Sequence, residues 1–228
     1  MLLHNKLPQL DARLAAAAAY VRRGCRVADI GCDHGKLSVY LAANRICEKV
    51  IACDICEKPL AHAARNLTLH GCIPQYAECR LGSGFSVIAE NEADDFVLAG
   101  ISGVTIAAIL ENAPQFWREQ YRFIFVPSAK PDMLRRFLAQ HGFALLDETP
   151  VEAAGRFYTV LYAQYTGEKQ TPTPLFCAIG LCEKPTDAAI GYLLKVQKQM
   201  EKQNEPALAA AIEERVEKCR ILHRLPNF

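Results

Sequence analysis

No stretch of this sequence approaches the ~20 consecutive apolar residues that a membrane-spanning helix needs. The softest segment, Leu14 to Val21, is mostly alanine and is closed by Arg22 and Arg23. The N-terminus lacks a basic flank followed by an apolar run and a cleavage site, so no signal peptide is expected. An excess of one charge is also missing. Lys and Arg number 26 against 25 Asp and Glu, a formal net charge of +1. That balance neither demands nor excludes nucleic acid, because a total cannot reveal a local basic patch. A second CxxC pair is absent too. Cys53 and Cys56 form the only one, and Cys177 and Cys182 do not complete a four-ligand zinc set, so no metal is expected. The ten cysteines then read as reduced, small apolar residues of a cytoplasmic protein.

What is present is material for a large core: 51% of the 228 residues are apolar. Strand and helix patterns alternate along the chain. A helix is expected over Pro8 to Tyr20, with Asp11 in its first turn. Then come a strand at Arg26 to Ile30, a helix at Gly35 to Asn44, a strand at Val50 to Asp54 and a helix at Pro59 to His70. Strands follow at Gln75 to Cys79 and Asp95 to Ala99. A helix at Ser102 to Asn112, a strand at Phe123 to Val126 and a helix at Pro131 to His141 continue the series. Two last strands, Phe143 to Val151 and Phe157 to Tyr165, are joined too tightly for a helical crossover and must pair antiparallel.

The expected fold is therefore α/β and Rossmann-like: a mostly parallel sheet with helices on both faces and an antiparallel terminal hairpin. That layout is the one used by class I methyltransferases. Composition shifts after Gly167. Residues 1–167 read as the catalytic domain. Residues 168–228 read as a connector, Lys169 to Leu175, followed by a C-terminal helical hairpin made of Thr186 to Gln203 and Pro206 to Leu222.

Four turns carry the chemistry. The first is Ala28-Asp29-Ile30-Gly31-Cys32-Asp33-His34-Gly35, where a strand gives way to a helix. A pyrophosphate turn would use the fuller GxGxxG fingerprint. Here Gly31 stands with Asp29 just before it. A carboxylate there repels pyrophosphate and attracts a cationic ammonium or sulfonium, which favours a methyl donor over a nicotinamide. The second turn is Asp54, an acid about twenty residues past the glycine turn, suited to ribose hydroxyls. The third, Gly82-Ser83-Gly84, has a wrapping turn with a neutral acceptor between its glycines. The fourth, Ala99-Gly100-Ile101-Ser102-Gly103, ends the fourth strand, and Ser102 reads equally as a helix N-cap. An Asn/Asp-Pro-Pro-aromatic tetrapeptide is absent, which argues against methylation of an exocyclic amine by that route.

The string RLAAAAAYVRRGCRVADIGCDHGKL resembles the bacterial tRNA (adenine-22-N1)-methyltransferases, and the likeness continues through ARNLTLHG, RLGSGF and AGISG. It covers roughly the first 165 residues. The resemblance implies S-adenosyl-L-methionine as cofactor and tRNA as partner. It places Asp29, Gly31, Asp33 and His34 in the cofactor pocket, with Asp54 and Ile55 at the ribose. Gly82, Ser83, Gly84, Ala99 and Gly100 complete that pocket. On the substrate side it places Arg13, Asn66, Ser102 and Gly103. The family's GDG stands here as Gly82-Ser83-Gly84, and its AGMGG as AGISG.

The reaction so implied is a direct displacement at N1 of an unpaired adenine, with Asp29 and His34 as candidate catalytic residues. Lys195, Lys198 and Lys202, on one face of the first C-terminal helix, are candidate RNA contacts; a solvated charged face is the competing reading. Two further functions stay open from the residues alone. One is a small-molecule methyltransferase on the same fold. The other is a non-catalytic protein that binds cofactor or RNA.

Overall fold

The computed structural model describes residues 7–224. Seven strands form one sheet in the order β3-β2-β1-β4-β5-β7-β6. The first five are parallel: β1 (Arg26–Ile30), β2 (Lys49–Asp54), β3 (Ala77–Leu81), β4 (Asp95–Ala99) and β5 (Arg122–Val126). The hairpin of β6 (Phe143–Ala153) and β7 (Arg156–Tyr165) closes the edge, with β7 antiparallel to β5. The strand order reverses at β1, between β2 and β4.

The central strands are apolar on both faces, as a covered parallel sheet requires. Along β5 the side chains alternate: Phe123 and Phe125 face one core, Ile124 and Val126 the other. Helices α1 (Ala12–Tyr20), α2 (Lys36–Ala43) and α3 (Glu57–Leu69) cover the aliphatic face. Helices α4 (Gly103–Glu111) and α5 (Pro131–Gln140) cover the other, which is rich in phenylalanine; Phe85, Phe96, Phe116 and Phe123 pack there in tilted, edge-on and stacked pairs with centroids about 5 Å apart. Beyond the sheet, α6 (Pro174–Ile179), α7 (Asp187–Lys202) and α8 (Pro206–Arg224) build a third core around Tyr192, Leu193 and Ile212.

Several expected boundaries move. The first helix starts at Ala12 rather than Pro8, because Asp11 is its N-cap and accepts from the backbone N–H groups of Arg13 and Leu14. The third strand is displaced from 75–79 to Ala77–Leu81. The stretch expected as a connector, Lys169 to Leu175, ends inside a helix: α6 starts at Pro174, is capped by the Thr173 hydroxyl and runs to Ile179. Ser102 does cap α4, accepting from Thr105 N.

Candidate cofactor cleft and active site

At the carboxyl ends of the parallel strands, where the order reverses, lies a cavity of about 610 Å³. That is the size and place expected for a small ligand in an open α/β sheet. All four sequence turns meet there. Asp29, Gly31, Asp33, His34, Asp54, Ile55, Gly82, Ser83, Gly84, Ala99 and Gly100 line it, joined by Arg13 from α1.

Asp29 forms the floor. It is 3% exposed and accepts a 2.5 Å hydrogen bond from Ser38 Oγ on α2. Burial pushes its carboxyl up to about 6; the Ser38 bond opposes that shift and the charge of Asp54 adds to it. At neutral pH the floor therefore carries a negative charge that a cation would stabilise.

The bend after β1 is held to β2. Gly31 N and Cys32 N both donate to Cys53 O, at 2.8 and 3.0 Å. Gly31 sits at φ +75°, and a Cβ on it would lie 3.0 Å from Ile101 Cδ1. Glycine thus supplies the left-handed bend and keeps the cleft open between the β1 and β4 turns. Asp54 couples two turns: Oδ2 accepts from Asp33 N at 3.1 Å and Oδ1 from Cys56 N at 2.9 Å. Beside it Ile55 is 67% exposed, an apolar surface offered to a flat ring.

His34 stands at the rim. Its Nε2 lies 3.6 Å from Asp33 Oδ1 and its ring meets His62 edge-on, at 5.3 Å. Asn66 does not reach the cavity; its Nδ2 donates to His34 O at 2.9 Å and props the bend from α3. Gly103 is also outside the lining. A Cβ there would fall 2.1 Å from Lys130 O, so glycine lets the β4 turn pack against the loop after β5. Two backbone bonds tie these loops: Gly103 N to Ala129 O, 2.8 Å, and Ser128 N to Ile101 O, 2.9 Å. Lys195, Lys198 and Lys202 do not line the cleft; they flank a shallow groove beside Phe157. Ser38 was not among the sequence candidates. Its signal was a lone polar residue in the apolar run Leu37 to Ala43, where it is fully buried.

The lining fits one kind of ligand. A buried acid, Asp29, lines the cavity near the end of β1, and a second acid, Asp54, an exposed apolar side chain, Ile55, and a hydroxyl, Ser83, line it as well. Together they match a nucleoside whose opposite end is cationic. Fold and cleft together define a class I methyltransferase.

Comparison with known proteins agrees. The family described as "Methyltransferase domain" matches residues 10–161. The tRNA (adenine(22)-N(1))-methyltransferase of Bacillus subtilis is 34% identical over 156 residues, covering 68% of this chain and 65% of that relative's length. The crystal structure of the B. subtilis m1A22 tRNA methyltransferase superposes with a TM-score of 0.77 at 25% identity, covering 95% of this chain and 99% of that one. A Streptococcus pneumoniae structure, described as a candidate tRNA (m1A22) methyltransferase in complex with S-adenosyl-L-methionine, gives 0.77 at 25% identity, with 95% and 100% covered. The chain belongs to the methyltransferase-domain family.

Proposed function

We propose that this protein uses S-adenosyl-L-methionine to methylate N1 of an adenine in tRNA, at the position its relatives carry in their names, 22. The observation that carries the reading is Asp29: a buried carboxylate at the tip of β1, facing a nucleoside-sized cleft. When bound, the cofactor supplies an electrophilic methyl group. Asp29 would hold its cationic end, Asp54 its ribose hydroxyls, and Ile55 and Ser83 its adenine. His34, at the rim, is placed to shield the bend.

The chain's task toward the base is positioning. Neutral adenine already has a lone pair at N1, so no residue has to remove a proton first. Holding the reacting atoms in line supplies most of the acceleration. The methylated ring is cationic, and Asp29 is the buried carboxylate of the cleft that would stabilise charge as it develops. N1 lies on the pairing edge, so the target must be unpaired or extruded. Arg13 flanks the entrance, held by Asp11 at 2.6 Å. We read residues 1–167 as the catalytic unit and 168–228 as the part that faces RNA, in the cytoplasm. Among the described residues no helix is long and apolar enough to cross a membrane.

The test is transfer of a radiolabelled methyl group to unmodified tRNA, followed by nucleoside analysis. N1-methyladenosine mapped to position 22 is the expected product. Cofactor binding without transfer to any tRNA would overturn the reading.

A further inference from the structure

A second cavity, of about 600 Å³, lies beside the cleft, bounded by the loop after β5 and by α6, α7 and α8. The two cavities are neighbours. Val126 lines the first and Pro127 the second. Arg13, in the first, has its guanidinium carbon 4.9 Å from the ring centroid of Tyr158, in the second. Antiparallel β7 begins at the edge where β5 ends, since Leu161 pairs with Phe125, and this puts Tyr158 on the side of the second cavity that meets Arg13.

The second cavity has the chemistry of an anion site with an aromatic shelf. Lys130, Arg136 and Lys195 line it. Among the described residues none of the three takes part in an ion pair. Lys195 is held by neutral groups instead. Its ammonium donates to Phe157 O at 2.7 Å and lies 5.7 and 5.9 Å from the ring centroids of Tyr158 and Tyr192. The ammonium is thus fixed in place with donors to spare. Lys130 sits at φ +55°, a conformation that side-chain-bearing residues adopt at a cost. Its carbonyl is the group that packs against Gly103, so the cation is positioned by the same loop that walls the cleft. Asp132 and Glu205 also line the cavity, which leaves one net positive charge from these five side chains.

We propose that this cavity receives the nucleotide adjoining the target adenine, with Lys130, Arg136 and Lys195 binding its phosphates and the Tyr158 ring stacking on its base; the inference rests on the tRNA-methylation reading. On this path a strand whose target base enters the first cavity leads its next phosphate past Arg13 and Tyr158. Cations beside an aromatic face form the usual platform for single-stranded nucleic acid. Gripping the neighbour would also stabilise the extruded state of the target.

The test compares wild type with Lys130→Gln/Lys195→Gln and with Tyr158→Leu, using methyl transfer to unmodified tRNA at several salt concentrations. Arg118→Gln, at the amino end of β5, controls for loss of a charge. Thermal melts and cofactor calorimetry establish that each variant is folded with an intact cleft. The expected result for the double variant is a KM for tRNA raised at least tenfold at moderate salt. Its log KM against log salt should flatten by about 1.4, since each phosphate contact in a single strand contributes about 0.7. Tyr158→Leu should raise KM about tenfold with the salt slope kept, and Tyr158→Phe should restore it. Folded variants with wild-type KM and slope overturn the inference while leaving the methylation reading standing. A wild type that transfers to no tRNA overturns both.

Discussion

Arg135 of α5 and Glu148 of β6 form an ion pair from which water is wholly excluded: Nη2 to Oε1 is 2.6 Å and neither side chain exposes any surface. The guanidinium also donates to the carbonyls of Cys177 and Ala178 and to the Tyr192 hydroxyl, each at 2.8 Å. Glu148 accepts in addition from Thr159 Oγ1 at 2.5 Å and Leu181 N at 3.0 Å. The pair is a fully buried polar link between the sheet domain and the C-terminal helices. Desolvating two charges is costly, and full hydrogen bonding is what offsets it. Arg135→Met, which strands Glu148, should destabilise by about 3–5 kcal/mol in chemical denaturation. A loss under 1 kcal/mol would show that the network is not holding the helices.

Asp29 predicts a conflict between stability and binding. Its carboxyl rises from an ordinary 3.8 to about 6 on folding. A raised carboxyl stabilises the fold below the unfolded value, and that contribution is lost as pH climbs through about 6. Asp29→Asn without ligand should therefore be more stable to chemical denaturation than wild type at pH 8, by up to about 3 kcal/mol, with the gap closing toward pH 4. In calorimetry the same variant should lose at least tenfold in affinity for the methyl donor. Unchanged affinity would remove Asp29 from the site.

Ser38 tunes that acid. Its hydroxyl stabilises the charged form, so Ser38→Ala should push the Asp29 carboxyl up further. Donor affinity measured from pH 5 to 9 should then begin to fall, on acidification, at a higher pH in the variant than in wild type. Superimposed profiles would mean that the bond does not act on the ligand.

Gly103 should matter through the loop it touches. The Cβ of Gly103→Ala would meet Lys130 O at 2.1 Å and Leu134 Cβ at 3.1 Å, so the loop after β5 must shift. The expected cost is about 1–3 kcal/mol. Methyl transfer should fall tenfold or more, with donor affinity nearly kept, because the residue is outside the cofactor lining. Equal losses in both would point to general unfolding.

The elements that sequence reading found well are those decided locally. Strands β1 and β4 match to the residue, since each is an apolar run cut off by a turn. Edge strand β3 slipped because its burial is mixed, so no clean apolar pattern marks it. Helix α6 hid in a Thr- and Pro-rich stretch whose Thr-Pro pair was a helix start as well as a connector signal. In the site, the acid-glycine turn and Asp54 were readable because spacing along the chain places them. Ser38, the clamp at Gly103 and the cavity beneath Lys195 were not. Each depends on groups distant in sequence: Asp29 above Ser38, Lys130 against Gly103, Tyr158 beside Lys195.

The paired bonds from Ser128 to Ile101 and from Gly103 to Ala129 restrict how this protein can vary in length. They run in opposite directions between two loops, like stitches through facing hems. Inserting one residue between 127 and 130 would throw both out of step and swing the wall of the reaction cleft. The exposed turn Ala89 to Asn91, ahead of β4, bears no such stitch to the cleft. Tags, reporter peptides and natural insertions should be accepted there and rejected in the loop after β5.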